Sequence, residues 1–132
     1  MTIEIGGWGL AADVLALRPT IAQTEVFTGN SPTAWTDLDL SAVVGANLAI
    51  VLLKITLAAG GARVAVRKNG DTDDQYSGTA TGAGGAGQAT LDATKFTVLI
   101  AVTDSAGIIE WITNDAVAAT VDIIAYLNVC AS

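Results

Sequence analysis

The 132-residue chain contains no histidine, one cysteine and two prolines, and only 14% of its residues are charged. Without histidine it lacks the commonest general base, metal ligand and pH switch of neutral solution. Ser-His-Asp and Cys-His nucleophilic sets are excluded, and so are metal sites of the histidine or multi-cysteine kind. The lone Cys130 cannot close a disulfide within the chain. It reads as a small apolar residue on a last strand, an intermolecular bridge being the other reading. Charge is scarce as well, against about 25% in an ordinary soluble domain. So few charges do not cover the surface of a lone copy. Either that surface is mostly Thr, Ser, Gly and Ala, or part of it is buried against other subunits, and assembly is the favoured account. With a net charge of −7 and six basic residues, the chain is not built to neutralise nucleic-acid phosphates, and anionic membranes repel it.

What is present is apolar. Hydrophobic residues make up 52% of the chain although aromatics are only 5%, so Ala, Val, Leu and Ile do the burying. The length suits one domain with a real core. The first residues carry Glu4 and Asp13 and no basic start, so they do not read as a secretory signal. The most apolar run, residues 48–59, is broken by Lys54 and Thr56 and is too short to span a bilayer. Residues 10–17 could make two helical turns that Pro19 stops. Residues 1–20 are therefore expected to form an arm or short helix ahead of a domain at 21–132.

From Thr20 onward the pattern has period two. Strands are expected at 23–28, 35–40, 48–58, 62–68, 95–103, 107–113 and 120–129, rich in Val, Ile, Thr and Leu. Asn69-Gly70 offers a tight turn, and residues 103–107 (TDSAG) a hairpin connection in which Asp104 caps its own backbone. Such a series indicates an all-β, antiparallel sandwich or barrel. Alternation assigns the faces. Val64 and Val66 oppose Arg63 and Arg67, and Leu38 and Leu40 oppose Asp37 and Asp39. Two strands have no wet face. Phe96, Val98, Ile100 and Val102 line one side of 95–103, with Leu99 and Ala101 on the other. Val121, Ile123, Ala125, Leu127 and Val129 oppose Ile124 and Tyr126. A two-layer sandwich buries one face of each sheet, so the second face needs a partner. Leu99, Ala101, Ile124 and Tyr126 are the expected subunit contacts.

The segment 77–90, SGTATGAGGAGQAT, has almost no side chains to bury, charge or react. A phosphate-binding loop needs a strand before it, a helix after it and usually a lysine, and that context is missing. It reads as a flexible or neighbour-contacting loop. Asp71, Asp73 and Asp74 could offer oxygens to Ca²⁺, though the glycine and terminal glutamate of an EF-hand are absent, and a solvated acidic turn is the plainer reading. Asp37 and Asp39, two apart on a strand, lie ~6–7 Å from one another, a separation a glycosidase could use; with few aromatics to line a cleft, the polar face of a strand is the plainer reading. Trp8, Trp35 and Trp111 could stack on sugars, but they sit in distant segments, and Trp111 alternates with Ile109, which favours core or interface.

The stretches TDLDLSAVVGANLAIVLLKITL (36–57), RVAVRKNGDT (63–72), FTVLIAVTDSAGIIEWI (96–112) and VDIIAYL (121–127) together resemble a group of small phage and prophage virion proteins of the C1q/TNF-like jelly-roll type. The resemblance spans about residues 35–129. The Gly/Ala segment and a last strand with Tyr126 as its one aromatic depart from the pattern. The resemblance implies a non-enzymatic structural protein made in the host cytoplasm and incorporated in the virion. It would be a homotrimer with its last strand near the threefold axis, serving as a capsid decoration, head fibre or tail-associated module. Its partners would be capsid or tail proteins, and residues 1–20 would engage the shell or a neighbouring subunit. No cofactor is expected beyond Ca²⁺ at the acidic turn. The alternative is a carbohydrate- or receptor-binding module directed at a host-surface glycan.

Overall fold

The structure, a computed structural model, describes residues 15–59, 62–72, 88–91 and 95–129. It is an all-β sandwich of two four-stranded sheets with one helical turn. The strands are β1 (Leu15–Asn30), β2 (Thr36–Asp39), β3 (Ala49–Leu57), β4 (Ala62–Lys68), β5 (Gln88–Leu91), β6 (Phe96–Val102), β7 (Ile108–Thr113) and β8 (Ala118–Val129), and α1 (Ser41–Val44) lies between β2 and β3. One sheet has the order β1-β8-β3-β6 and the other β2-β7-β4-β5. All pairings are antiparallel, and β1 meets β8, β2 meets β7, β3 meets β6, and β4 meets β5. The strands thus pair as in one long hairpin, first with last and β4 with β5.

The core forms where the two sheets' inner faces meet. Val51, Leu53, Ile55 and Leu57 of β3 face Val64 and Val66 of β4 and Ile109 and Trp111 of β7, with Val121 and Ile123 of β8 beside them. Trp111 is fully buried and meets the Phe27 ring edge-on, 4.8 Å between centroids. It belongs to the core, and its area makes it a large single contributor to burial.

Three short motifs set the sandwich ends. Thr103 is buried; its Oγ1 accepts from the Ala49 amide and donates to the Asn47 carbonyl, both at 2.8 Å, which ties the end of β6 to the start of β3. Thr113 Oγ1 donates to Ser31 Oγ at 2.8 Å, and the Thr113 amide donates to the Pro32 carbonyl, fastening the β1–β2 link to β7. Asp104 Oδ1 accepts from the amides of Ala106 and Ile108, and Oδ2 accepts from Asn69 Nδ2 at 2.8 Å. The expected self-capping of the 103–107 hairpin is therefore what the structure contains, with the Asn69-Gly70 turn drawn against it. Gly70 has φ +80 and Gly107 φ +82, conformations glycine adopts without a steric penalty.

Two elements escaped the pattern and one boundary moved. Gln88–Leu91 pairs with Ala62–Ala65 as β5, taking in the last residues of the 77–90 stretch read as a loop, because cross-strand hydrogen bonding does not require large side chains. Ser41–Val44 turns helical after Asp39 accepts the Ser41 amide. The N-terminal boundary differs too: Leu15–Thr20 belong to β1 and not to a helix or free arm. Leu15–Pro19 pair residue for residue with Ala125–Val129, and Pro19 fits because β1 is the edge of its sheet. Residues 1–14, the remainder of the expected arm, lie outside the described residues, as does Cys130.

Candidate functional site

The fold leaves one unusual surface, the outer face of the β1-β8-β3-β6 sheet. Directly opposed residues in a sheet share a face, so the register defines this surface row by row. Val102, Ile50 and Leu127 form one row, and Ile100, Leu52 and Ala125 the next. Val98, Lys54, Asp122 and Glu25 follow, then Phe96, Thr56, Thr120 and Thr28. The first two rows are wholly apolar. Along β6 the apolar character continues through every row, and its side chains stand in solvent: Ile100 is 64% exposed and Phe96 59%. Val98 and Val102 are exposed as well. Lys54 lies over the Phe96 ring, 4.5 Å from its centroid, a cation–π contact that shelters part of one ring face.

The expectation of strands apolar on both sides holds for β6, but the sides are exchanged. Leu99 and Ala101, expected outward as subunit contacts, are 8% and 5% exposed and belong to the core. Phe96, Val98, Ile100 and Val102 point out. The cause is β3. Val98 sits opposite Lys54, and Leu99 opposite Leu53. Lys54 keeps its ammonium out of the core, so its partner shares the outer face.

In β8 the exchange happens within the strand. Leu53 of β3 pairs with Ile123 and the adjacent Leu52 with Ala125, which leaves Ile124 as an extra residue in a bulge. A bulge reverses the alternation beyond it. Val121 and Ile123 point inward, whereas past the bulge Tyr126, opposite Val51, packs against the core. Ala125, Leu127 and Val129 turn to the outer face. Tyr126, expected at the subunit contact, is thus a partly buried core residue, and Ile124 is the half-buried residue of the bulge itself. Nor are β6 and β8 neighbours, since β3 runs between them.

The opposite outer face, on β2-β7-β4-β5, is laced with charge. Arg67 Nε donates to Glu110 Oε2 at 2.6 Å, and the guanidinium lies over the Trp35 ring, 4.0 Å from its centroid. Arg67 opposes Glu110 across one pair of strands, and Glu110 opposes Asp37 across the next. Trp35 is thus committed to Arg67.

Of the proposed metal ligands, Asp71 is described, half-buried, with its amide donating to the Lys68 carbonyl at 3.0 Å. Asp73 and Asp74 lie outside the described residues. Among the described residues no three or more Asp, Glu, Cys or His side chains group so as to hold a metal ion. The carboxylates Asp37 and Asp39 sit on the exposed side of β2. Hydrogen bonds from Ser41 hold the Asp39 carboxyl below the usual carboxylate range, the reverse of what a proton-donating glycosidase acid needs. Asp104 is lowered too, first by the Ile108 amide and then by Asn69.

A shallow depression of about 360 Å³ lies at the hydroxyl-bearing end of the outer face, lined by Thr28, Asn30, Thr56 and Thr120 with Gly29 and Ala118 among their neighbours. No helix among the described residues is long and apolar enough to cross a membrane. Comparison with protein-family models, with curated proteins and with solved structures returned no match.

Proposed function

We propose that this chain is a non-enzymatic structural protein that works as an assembly of identical copies, in the role of a phage virion component that decorates the capsid or associates with head or tail. The observation that carries the reading is the outward display of Phe96, Val98, Ile100 and Val102 on a sheet whose inner face already fills the core. Burying a Val, Ile or Phe side chain gains about 1.5–3 kcal/mol, so four such side chains held side by side in water favour association. The virion role and the threefold symmetry draw on the sequence resemblance. The jelly-roll reading has the strand order behind it: a long hairpin, β1 with β8 through β4 with β5, wound into two sheets.

The glycan-binding alternative has one feature in its favour. The depression is lined in part by Thr28, Thr56 and Thr120, with exposed Phe96 in the adjoining strand opposite Thr56. Light scattering on the purified chain at micromolar concentration tests the leading reading. Three copies per particle is the expected mass; a single-copy mass across the range overturns it.

A further inference from the structure

We infer that copies of this chain meet through an L-shaped apolar surface on the β1-β8-β3-β6 sheet, and that the hydroxyl-bearing end of the same face stays outside the contact. The inference rests on the assembly reading and adds the location. The long limb of the L is β6, with Phe96, Val98, Ile100 and Val102; the foot is the two charge-free rows that carry Ile50, Leu52 and Leu127 across the sheet. The bulge at Ile124 makes the foot continuous, because without it Leu127 would point into the core.

The occupant is a second copy of the chain. A net charge of −7 makes copies repel wherever carboxylates approach, and the two charge-free rows provide an approach without them. The row that borders them holds Lys54, Asp122 and Glu25. A border with both signs can be met by another copy, whose charged rows are equally mixed, whereas a strongly basic or acidic partner finds no field of one sign to match. The size sets the strength. One seven-residue strand and two further strands over two rows, at ~4.8 Å spacing and ~3.3 Å rise, give a plane of roughly 240 Å². Contacts of this extent fall below the about 1,000 Å² of a standard specific interface, so association is expected to depend on concentration.

The test uses the full chain and three variants, each checked for native circular dichroism and followed by light scattering over a dilution series. Ile100→Asp and Val98→Asp place a carboxylate on the long limb at exposed positions. Thr28→Asp places the same charge on the same face at the excluded end. The expected result is an assembled wild type, a shift of at least tenfold in the dissociation midpoint for both limb variants, and less than twofold for Thr28→Asp. If the wild type assembles and the limb variants assemble equally well, the location is wrong while the assembly reading stands. If Thr28→Asp dissociates the particle as strongly as Ile100→Asp, the excluded end is wrong. If the wild type is a single copy at every concentration, the assembly reading itself fails.

Discussion

The strands β4 and β6 are each seven residues long, and one lies in each sheet. In β4, ARVAVRK, the arginines mark the outer face, and Val64 and Val66 go inward. In β6, FTVLIAV, every residue but Thr97 is apolar. Charge in β4 fixes which way the strand faces; its absence in β6 leaves both phases open until a neighbour chooses. The same difference separates the outer surfaces. Arg67, Glu110 and Trp35 satisfy one another on the first, while the second presents apolar side chains that have no comparable partner among the described residues.

Substitutions on adjacent β6 residues sharpen this comparison most. Leu99→Ala removes a core side chain next to Leu53, and a loss of about 2–5 kcal/mol is expected in urea denaturation. Ile100→Ala, one residue on, is expected to cost under about 0.5 kcal/mol under dissociating conditions. Equal losses would mean that β6 faces the other way. Gly107→Ala comes next. Its Cβ would strike the Gly45 carbonyl oxygen and the Ser41 backbone, and its φ of +82 strains any other residue. About 1–3 kcal/mol should be lost, read as a lower melting temperature; an unchanged melting temperature would deny the packing of this hairpin on α1.

Arg67→Ala tests the other surface. It removes the ion pair with Glu110, whose two side chains are 12% and 16% exposed, and the stack on Trp35, contacts together worth about 1–2 kcal/mol. Melting should move down by a few degrees while the assembly midpoint stays put; a shifted midpoint would place this face in the contact.

The smallest effect is that of acid. The Asp39 and Asp104 carboxyls have lowered pKa values in the folded chain, so the stability they lend is fully present above the ordinary aspartate value, about 4. It is lost as pH falls through their folded values. Asp104→Asn should lower stability at neutral pH, where the ionised carboxyl accepts from the Ile108 and Ala106 amides and from Asn69, and should flatten the acid limb of a stability–pH curve below that value. A steepened limb would contradict the Asp104 hydrogen bonds.

Much of the fold could be read from residue spacing. The alternation in 35–40 and 62–68 sets the buried sides of β2 and β4, and Asn69-Gly70 and Asp104 mark turns that the structure contains. The candidate surface was legible as a quantity and not as a place: too little charge and too much aliphatic surface, without the face on which the excess lies. Lys54 held the missing signal, since the strand that pairs with β3 takes its phase from that lysine, but the pairing of β3 with β6 is not written in either segment. The bulge at Ile124 left no mark at all, because IIAYL is apolar in every register.

What the residues determined by themselves is the all-β character, the absence of histidine chemistry and the presence of strands apolar on both sides. These follow from side-chain chemistry and period-two spacing, which are properties of short segments. Tertiary pairing alone decided that Leu99 and Tyr126 go inward while Ile100 and Leu127 go outward. A strand that is apolar on both sides has no preferred face until its hydrogen-bonded neighbour, committed by a single charge, supplies one.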